Sequence, residues 1–214
     1  MTTTMASRMS DQNDNPTPAQ SRRGRRTALV LFAIGFGPII LATAMFYTGW
    51  LNPTGHTNNG TLIQPVVAVS TLNLETLSGD PLEARFGIDQ ADPQWLMIVA
   101  AEECGQECEH MLYLARQVNI ALGKNASHVA RAAVLGSVSE DLSARWEQEY
   151  RSMERLVPVL GTMPSWPAGM DISAEPRLLL VDPFGNVMMH YGPHNTGKEM
   201  LKDLNHLLRI SQAG

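Results

Sequence analysis

Cysteine is scarce in this chain: the 214 residues include two, Cys104 and Cys108. So few thiols exclude a small fold stapled by disulfides. A close pair standing alone points instead to redox or metal chemistry, because the loop it closes is too short to constrain the unfolded chain much. Aromatics are few, at 6%, and no internal repeat is present. A basic excess is also lacking. Residues 1–50 hold five basic residues (Arg8, Arg22, Arg23, Arg25, Arg26) against Asp11 and Asp14, a net of +3. The rest of the chain has 11 basic against 19 acidic residues, a net of −8. Phosphate backbones demand a basic footprint, so nucleic acid is excluded as a partner.

Charge of either sign is missing from Thr27 to Trp50, TALVLFAIGFGPIILATAMFYTGW. A run of that length spans a hydrocarbon core of about 30 Å. Arg22, Arg23, Arg25 and Arg26 lie directly before it, and Tyr47 and Trp50 lie at its far end. The positive-inside rule puts the arginines in the cytoplasm, and interfacial aromatics suit the other end. The rival reading is a cleaved signal peptide, with Ala42-Thr43-Ala44 as the cleavage site. The apolar stretch is too long for a usual signal, and its basic residues lie more than twenty positions in.

The expected organisation is a disordered basic cytoplasmic tail (1–26), a transmembrane helix (27–50), a linker (51–61) and one domain (62–211). Residues 51–61 are turn-formers, LNPTGHTNNGT. Beyond them, Trp95–Ala100 is a continuous apolar run, as in a strand buried on both faces. A helix is expected from about Glu107 to Leu122, with Met111, Leu114, Ala115, Val118 and Leu122 as its stripe and Gly123 at C′. Val129–Leu135 reads as a strand. Ser137 and Glu140 are spaced as a capping box for a second helix carrying Leu142, Trp146, Met153 and Leu156, which Pro158 ends. Leu178–Val181 and Val187–Tyr191 flank the turn formers Asp182–Asn186 and read as a hairpin. Thr196 and Glu199 begin a last helix with Met200, Leu201, Leu204, Leu207 and Leu208. This alternation predicts an α/β fold: a mixed central sheet flanked by helices.

The cysteine pair falls between a strand and a helix start. Free N–H groups and the helix dipole stabilise an anion there, and the thiolate is both nucleophile and metal ligand. Gly105 is expected to let the backbone turn tightly between the sulfurs. Positions i and i+4 on a regular helix stand about 5–6 Å apart at Cβ, whereas a disulfide needs about 3.8 Å. A disulfide therefore calls for local unwinding, and a bridging metal, Cu(I) or Zn, for less. Glu102, Glu103, Glu107 and Glu109 surround the pair, opposing a second anion and favouring a bound cation.

An anchor, a strand-CxxxC-helix segment at 95–122 and the strand-turn-strand LLLVDPFGNVMMHYG at 178–192 together resemble the Sco/SenC group of the thioredoxin-like superfamily. Those are membrane-anchored proteins of cytochrome c oxidase maturation. The resemblance covers roughly 62–211 and implies a thioredoxin-like fold, with Cys104 and Cys108 as Cu(I)-binding and redox cysteines. Two features depart from the family. The stretch 171–177, where the group carries a distal histidine, has none, and Glu109 replaces the proline after the second cysteine. Pro176 resembles the proline that thioredoxins hold in cis beside their dithiol. His190 and His194 are the candidate replacement ligands. His110, two residues after Cys108, faces elsewhere on a helix.

Three functions follow as expectations. The first is oxidase maturation, by Cu(I) delivery or by reduction of copper-site cysteines in an oxidase subunit. The second is general thiol–disulfide exchange on exported thiol proteins, with Cys104, Cys108 and Pro176 as the site. The third is a tethered interaction domain without chemistry. The expected location is the inner (cytoplasmic) membrane, crossed once, with the C-terminal domain in the periplasm.

Overall fold

The computed structural model describes residues 18–48, 58–88 and 90–211. They fall into two compact units, residues 1–55 and residues 56–214. The first is helix α1, Pro18–Thr48. Its stretch Arg25–Thr48, 24 residues, is long and apolar enough to cross a membrane, and none of it is buried. Pro18 suits a first helical position, where the missing N–H costs nothing. The helix thus takes in residues 18–26, the end of the tail expected to be disordered. Residues 1–17 of that tail and most of the expected linker lie outside the described residues.

The second unit is built on a mixed seven-stranded sheet. Its strands are β1 (Thr61–Ala68), β2 (Leu74–Thr76), β3 (Trp95–Cys104), β4 (Val129–Val138), β5 (Glu154–Pro158), β6 (Arg177–Val181) and β7 (Asn186–Tyr191). Their order is β1-β7-β6-β3-β4-β5-β2. The pairs β3–β4 and β4–β5 are parallel, and every other pair is antiparallel. Helices α2 (Gln106–Ala121), α3 (Glu140–Glu149) and α4 (Gly197–Ser211) complete the unit.

Strand alternation divides the core in two. Trp95, Met97, Val99 and Ala101 of β3 join Leu178, Leu180 and the apolar stripes of the three helices in one cluster. Leu96, Ile98 and Ala100 join Leu179, Val181 and Val187 in the other, which irregular segments carrying Leu72, Leu82 and Trp166 cover. β3 is thus apolar on both faces because both of its faces are covered.

The β6–β7 turn forms as its residues dictate. Asp182 Oδ1 accepts from the N–H groups of Phe184 (2.9 Å) and Asn186 (2.8 Å), and Gly185 takes a φ of +84°, where glycine carries no Cβ penalty. At α4, Thr196 N–H donates to Glu199 Oε2 (2.8 Å) and Glu199 N–H to Thr196 Oγ1 (3.3 Å), a reciprocal box.

The expected second helix is corrected in two ways. Its cap is Ser139, whose Oγ accepts from Leu142 N–H at 3.1 Å. Ser137 is still in β4, paired with Glu103. The helix also ends at Glu149, and Met153 and Leu156 are not on it. Leu156 lies in β5, pairing with Val134 of β4. An open parallel edge on β4 outcompetes continuation of the helix, because it satisfies the backbone groups of both strands. At the other edge lies β1, which contains the cis Gln64–Pro65 bond.

Candidate redox site

Cys104 is the last residue of β3, Gly105 is the N-cap position and Cys108 sits in the first turn of α2. The two are joined as a disulfide with Cα atoms 5.0 Å apart. The expected conflict with helix geometry does not arise, because Cys104 is outside the helix and approaches from the strand. Gly105 is not used for its conformational freedom: its φ is −90°, and a Cβ there would meet nothing within 4 Å. What the glycine leaves is an uncapped helix. Among the described residues no side chain accepts from the leading N–H groups of α2, so they stay available to an anion at Cys108.

The disulfide is nearly sealed, with Cys104 5% and Cys108 1% exposed. A shallow cavity of about 300 Å³ opens beside it, lined by Glu103, Gln106, Cys108, Glu175 and Pro176 among others. Strand register explains the company. β6 runs antiparallel to β3 with Arg177 opposite Ala100, so the residue before β6 stands at the cysteine end of β3. Glu102 N–H donates to Ile172 C=O at 3.2 Å and draws the preceding loop along that end. The loop is held by Asp171, whose Oδ1 accepts from Ser173 N–H (3.0 Å) and Ser173 Oγ (2.6 Å). Those bonds keep its carboxyl below the usual carboxylate range. Pro176 is buried and lines the cavity. It is not in cis: the cis bond among the described residues is Gln64–Pro65.

The four carboxylates around the pair are not equivalent. Glu109 turns to Arg145 at 3.0 Å, which also pairs with Asp141 (2.9 Å) and Glu149 (3.2 Å). Hydrogen bonds from Arg145, first to Glu109, raise the pKa of its guanidinium. This link from α2 to α3 carries no periodic signal in the sequence. Glu102, Glu103 and Glu107 are exposed and make no ion pair among the described residues.

The candidate metal ligands are not brought together. His190 pairs across to Leu179, which pairs with Ile98, six residues before Cys104 on β3. That is about 20 Å along the strand. Burial and then the Arg177 charge depress the His190 pKa, and its buried Nδ1 has no hydrogen-bond partner among the described residues. His194 and His110 are exposed. No group of three His, Cys, Asp or Glu that could hold a metal occurs among the described residues. Among the described residues the donor set is two sulfurs without a third ligand, which does not fit a three-ligand Cu(I) site.

A family model described as transmembrane-like, thioredoxin-like, C-terminal domain matches residues 95–211. Its companion, transmembrane-like, N-terminal domain, matches residues 18–49. Among curated proteins no sequence match was found. Similar solved structures include yeast Sco1, at 12% identity and a TM-score of 0.46 over 71% of this chain and 98% of that one. Copper-bound ScoI of Bradyrhizobium japonicum has 16% identity and a TM-score of 0.41, covering 69% and 98%. A thiol-disulfide oxidoreductase of Bacteroides fragilis has 13% identity and a TM-score of 0.44, covering 68% and 98%.

Proposed function

The chain belongs to the transmembrane-like, thioredoxin-like family, and from that premise we propose that it is a membrane-tethered thiol–disulfide oxidoreductase acting through Cys104 and Cys108. The observation that carries this reading is the disulfide closed between the end of β3 and the first turn of α2, beside an open cavity. The positive-inside rule puts the domain on the exported side of the membrane, where disulfides persist.

In the reducing direction, a thiolate of the reduced pair attacks a substrate disulfide. One substrate sulfur leaves as thiolate, and a mixed disulfide joins the two proteins. The second cysteine gives up its proton and attacks that bond. The Cys104–Cys108 disulfide reforms, and the substrate leaves as a dithiol carrying two electrons. The oxidised form runs the same steps in reverse. The uncapped N–H groups of α2 stabilise the thiolate at Cys108, and buried Pro176 shapes the cavity that admits the substrate.

The resemblance to the Sco/SenC group names the substrate to try first: the copper-site cysteine pair of a respiratory oxidase subunit. Full-length protein in detergent, supplied with a dithiol, is expected to reduce such a peptide disulfide. Of C104A and C108A, the variant keeping the attacking sulfur accumulates the mixed disulfide. Neither turnover nor a trapped adduct would leave the domain as a tether without chemistry. Anaerobic Cu(I) titration separates the copper reading. Stoichiometric uptake that the double alanine variant loses, with no exchange activity, would replace electron transfer by copper handover.

A further inference from the structure

The other end of the sheet carries a different chemistry. A cavity of about 440 Å³ opens where β4 and β5 begin, and Arg85, Ser127, Arg131, Arg151, Ser152 and Glu154 contribute to its lining. Three guanidiniums against one carboxylate stand out on a part of the chain with 11 basic and 19 acidic residues. Glu154 is already ion-paired with Arg85. Among the described residues, neither Arg131 nor Arg151 has a carboxylate within ion-pair distance.

Arg131 is the unusual one. It is half-buried on β4, and its Nη2 donates to Ser152 Oγ at 2.6 Å. A hydroxyl accepts that hydrogen bond but leaves the charge uncompensated. Burial, with the neighbouring charge of Arg116, depresses the Arg131 pKa. An unpaired guanidinium taken partly out of water destabilises the fold unless an anion meets it. Here the space beside it is open, and Arg151, Ser127 and Ser152 offer further donors. Guanidinium forks with hydroxyls around them match an oxyanion presenting several acceptor oxygens.

We propose that this cavity is a binding site for a phosphate-class oxyanion, held by Arg131 and Arg151. It is separate from the disulfide. Arg131 pairs with Met97, seven residues before Cys104 on β3, which is about 23 Å along the strand.

The test is thermal unfolding of the full chain in uncharged detergent micelles. Inorganic phosphate is titrated against chloride at matched ionic strength, and a second arm titrates phosphatidic acid in mixed micelles. A saturable rise in Tm with phosphate is expected. R131Q and R151Q should each weaken it at least tenfold, while R209Q on α4 leaves it unchanged. Arg151 is exposed, so its variant keeps the fold even if R131Q does not. Saturation with phosphatidic acid alone, lost in R151Q, supports the same chemistry with a lipid headgroup as its source. No saturable shift beyond chloride with either probe would overturn the proposal. So would a shift of the same size in R151Q.

Discussion

At the scale of single residues, two glycines near the disulfide do opposite work. Gly136 on β4 has no room for a side chain, since a Cβ there would meet the backbone oxygen of Glu102 at 2.5 Å. Backbone cannot swing aside as a flexible side chain can. Gly136→Ala should cost about 1–3 kcal/mol and loosen the β3–β4 pairing that ends at Cys104. Gly105 has open space and an ordinary φ, so Gly105→Ala should cost less, about 0.5–1 kcal/mol, from the poorer N-cap alone. Thermal unfolding by circular dichroism checks both. Asp203 is the residue that sequence reasoning passed over. It is buried at 4% exposure and accepts from Asn59 N–H (2.8 Å), Gly60 N–H (2.9 Å) and Tyr191 Oη (3.1 Å). Burial, then the Asp203 charge, pushes the Tyr191 phenol pKa up. An acid within an amphipathic helix looks like a solvated residue until the chain it ties down, 144 positions away, is known.

At the scale of elements, the cap of α3 is a direct test of the corrected boundary. Ser139→Ala should cost about 1 kcal/mol. Ser137→Ala should cost less, because its Oγ makes only a 3.5 Å contact with Glu102 C=O. On β7, His190 predicts a pH dependence. Its folded pKa is lowered, so the unfolded chain binds the proton more readily. Its contribution is therefore fully present above the ordinary histidine value of about 6.5 and falls as pH drops through that value toward the folded pKa. Between about pH 7 and pH 5, wild type should lose more Tm than H190Q. Equal slopes would show that His190 does not titrate differently on folding.

At the scale of the whole molecule, the arginines ahead of the apolar span make orientation a testable prediction. Alkaline phosphatase fused after Ser211 should be active in a Gram-negative host, as an exported passenger is, and inactive if the four arginines at 22–26 are replaced by acids. The legible parts of the fold were those whose signals are local. β3, α2, the β6–β7 hairpin and the Thr196–Glu199 box each announce themselves within a dozen residues. β5 did not, because Met153 and Leu156 continue the helical spacing of Leu142 and Trp146, and only the open edge of β4 makes Leu156 strand.

The sequence by itself determined the span, the α/β class and the two cysteines at a strand-to-helix junction, since length, periodicity and spacing are properties of the chain alone. Tertiary structure decided the rest. It joined Cys104 to Cys108 without unwinding α2, put Pro176 beside them in trans, turned Glu109 to Arg145 and kept His190 some six strand positions away. Those outcomes depend on strand order and register, which are fixed by packing both faces of β3 at once and are encoded in no single segment.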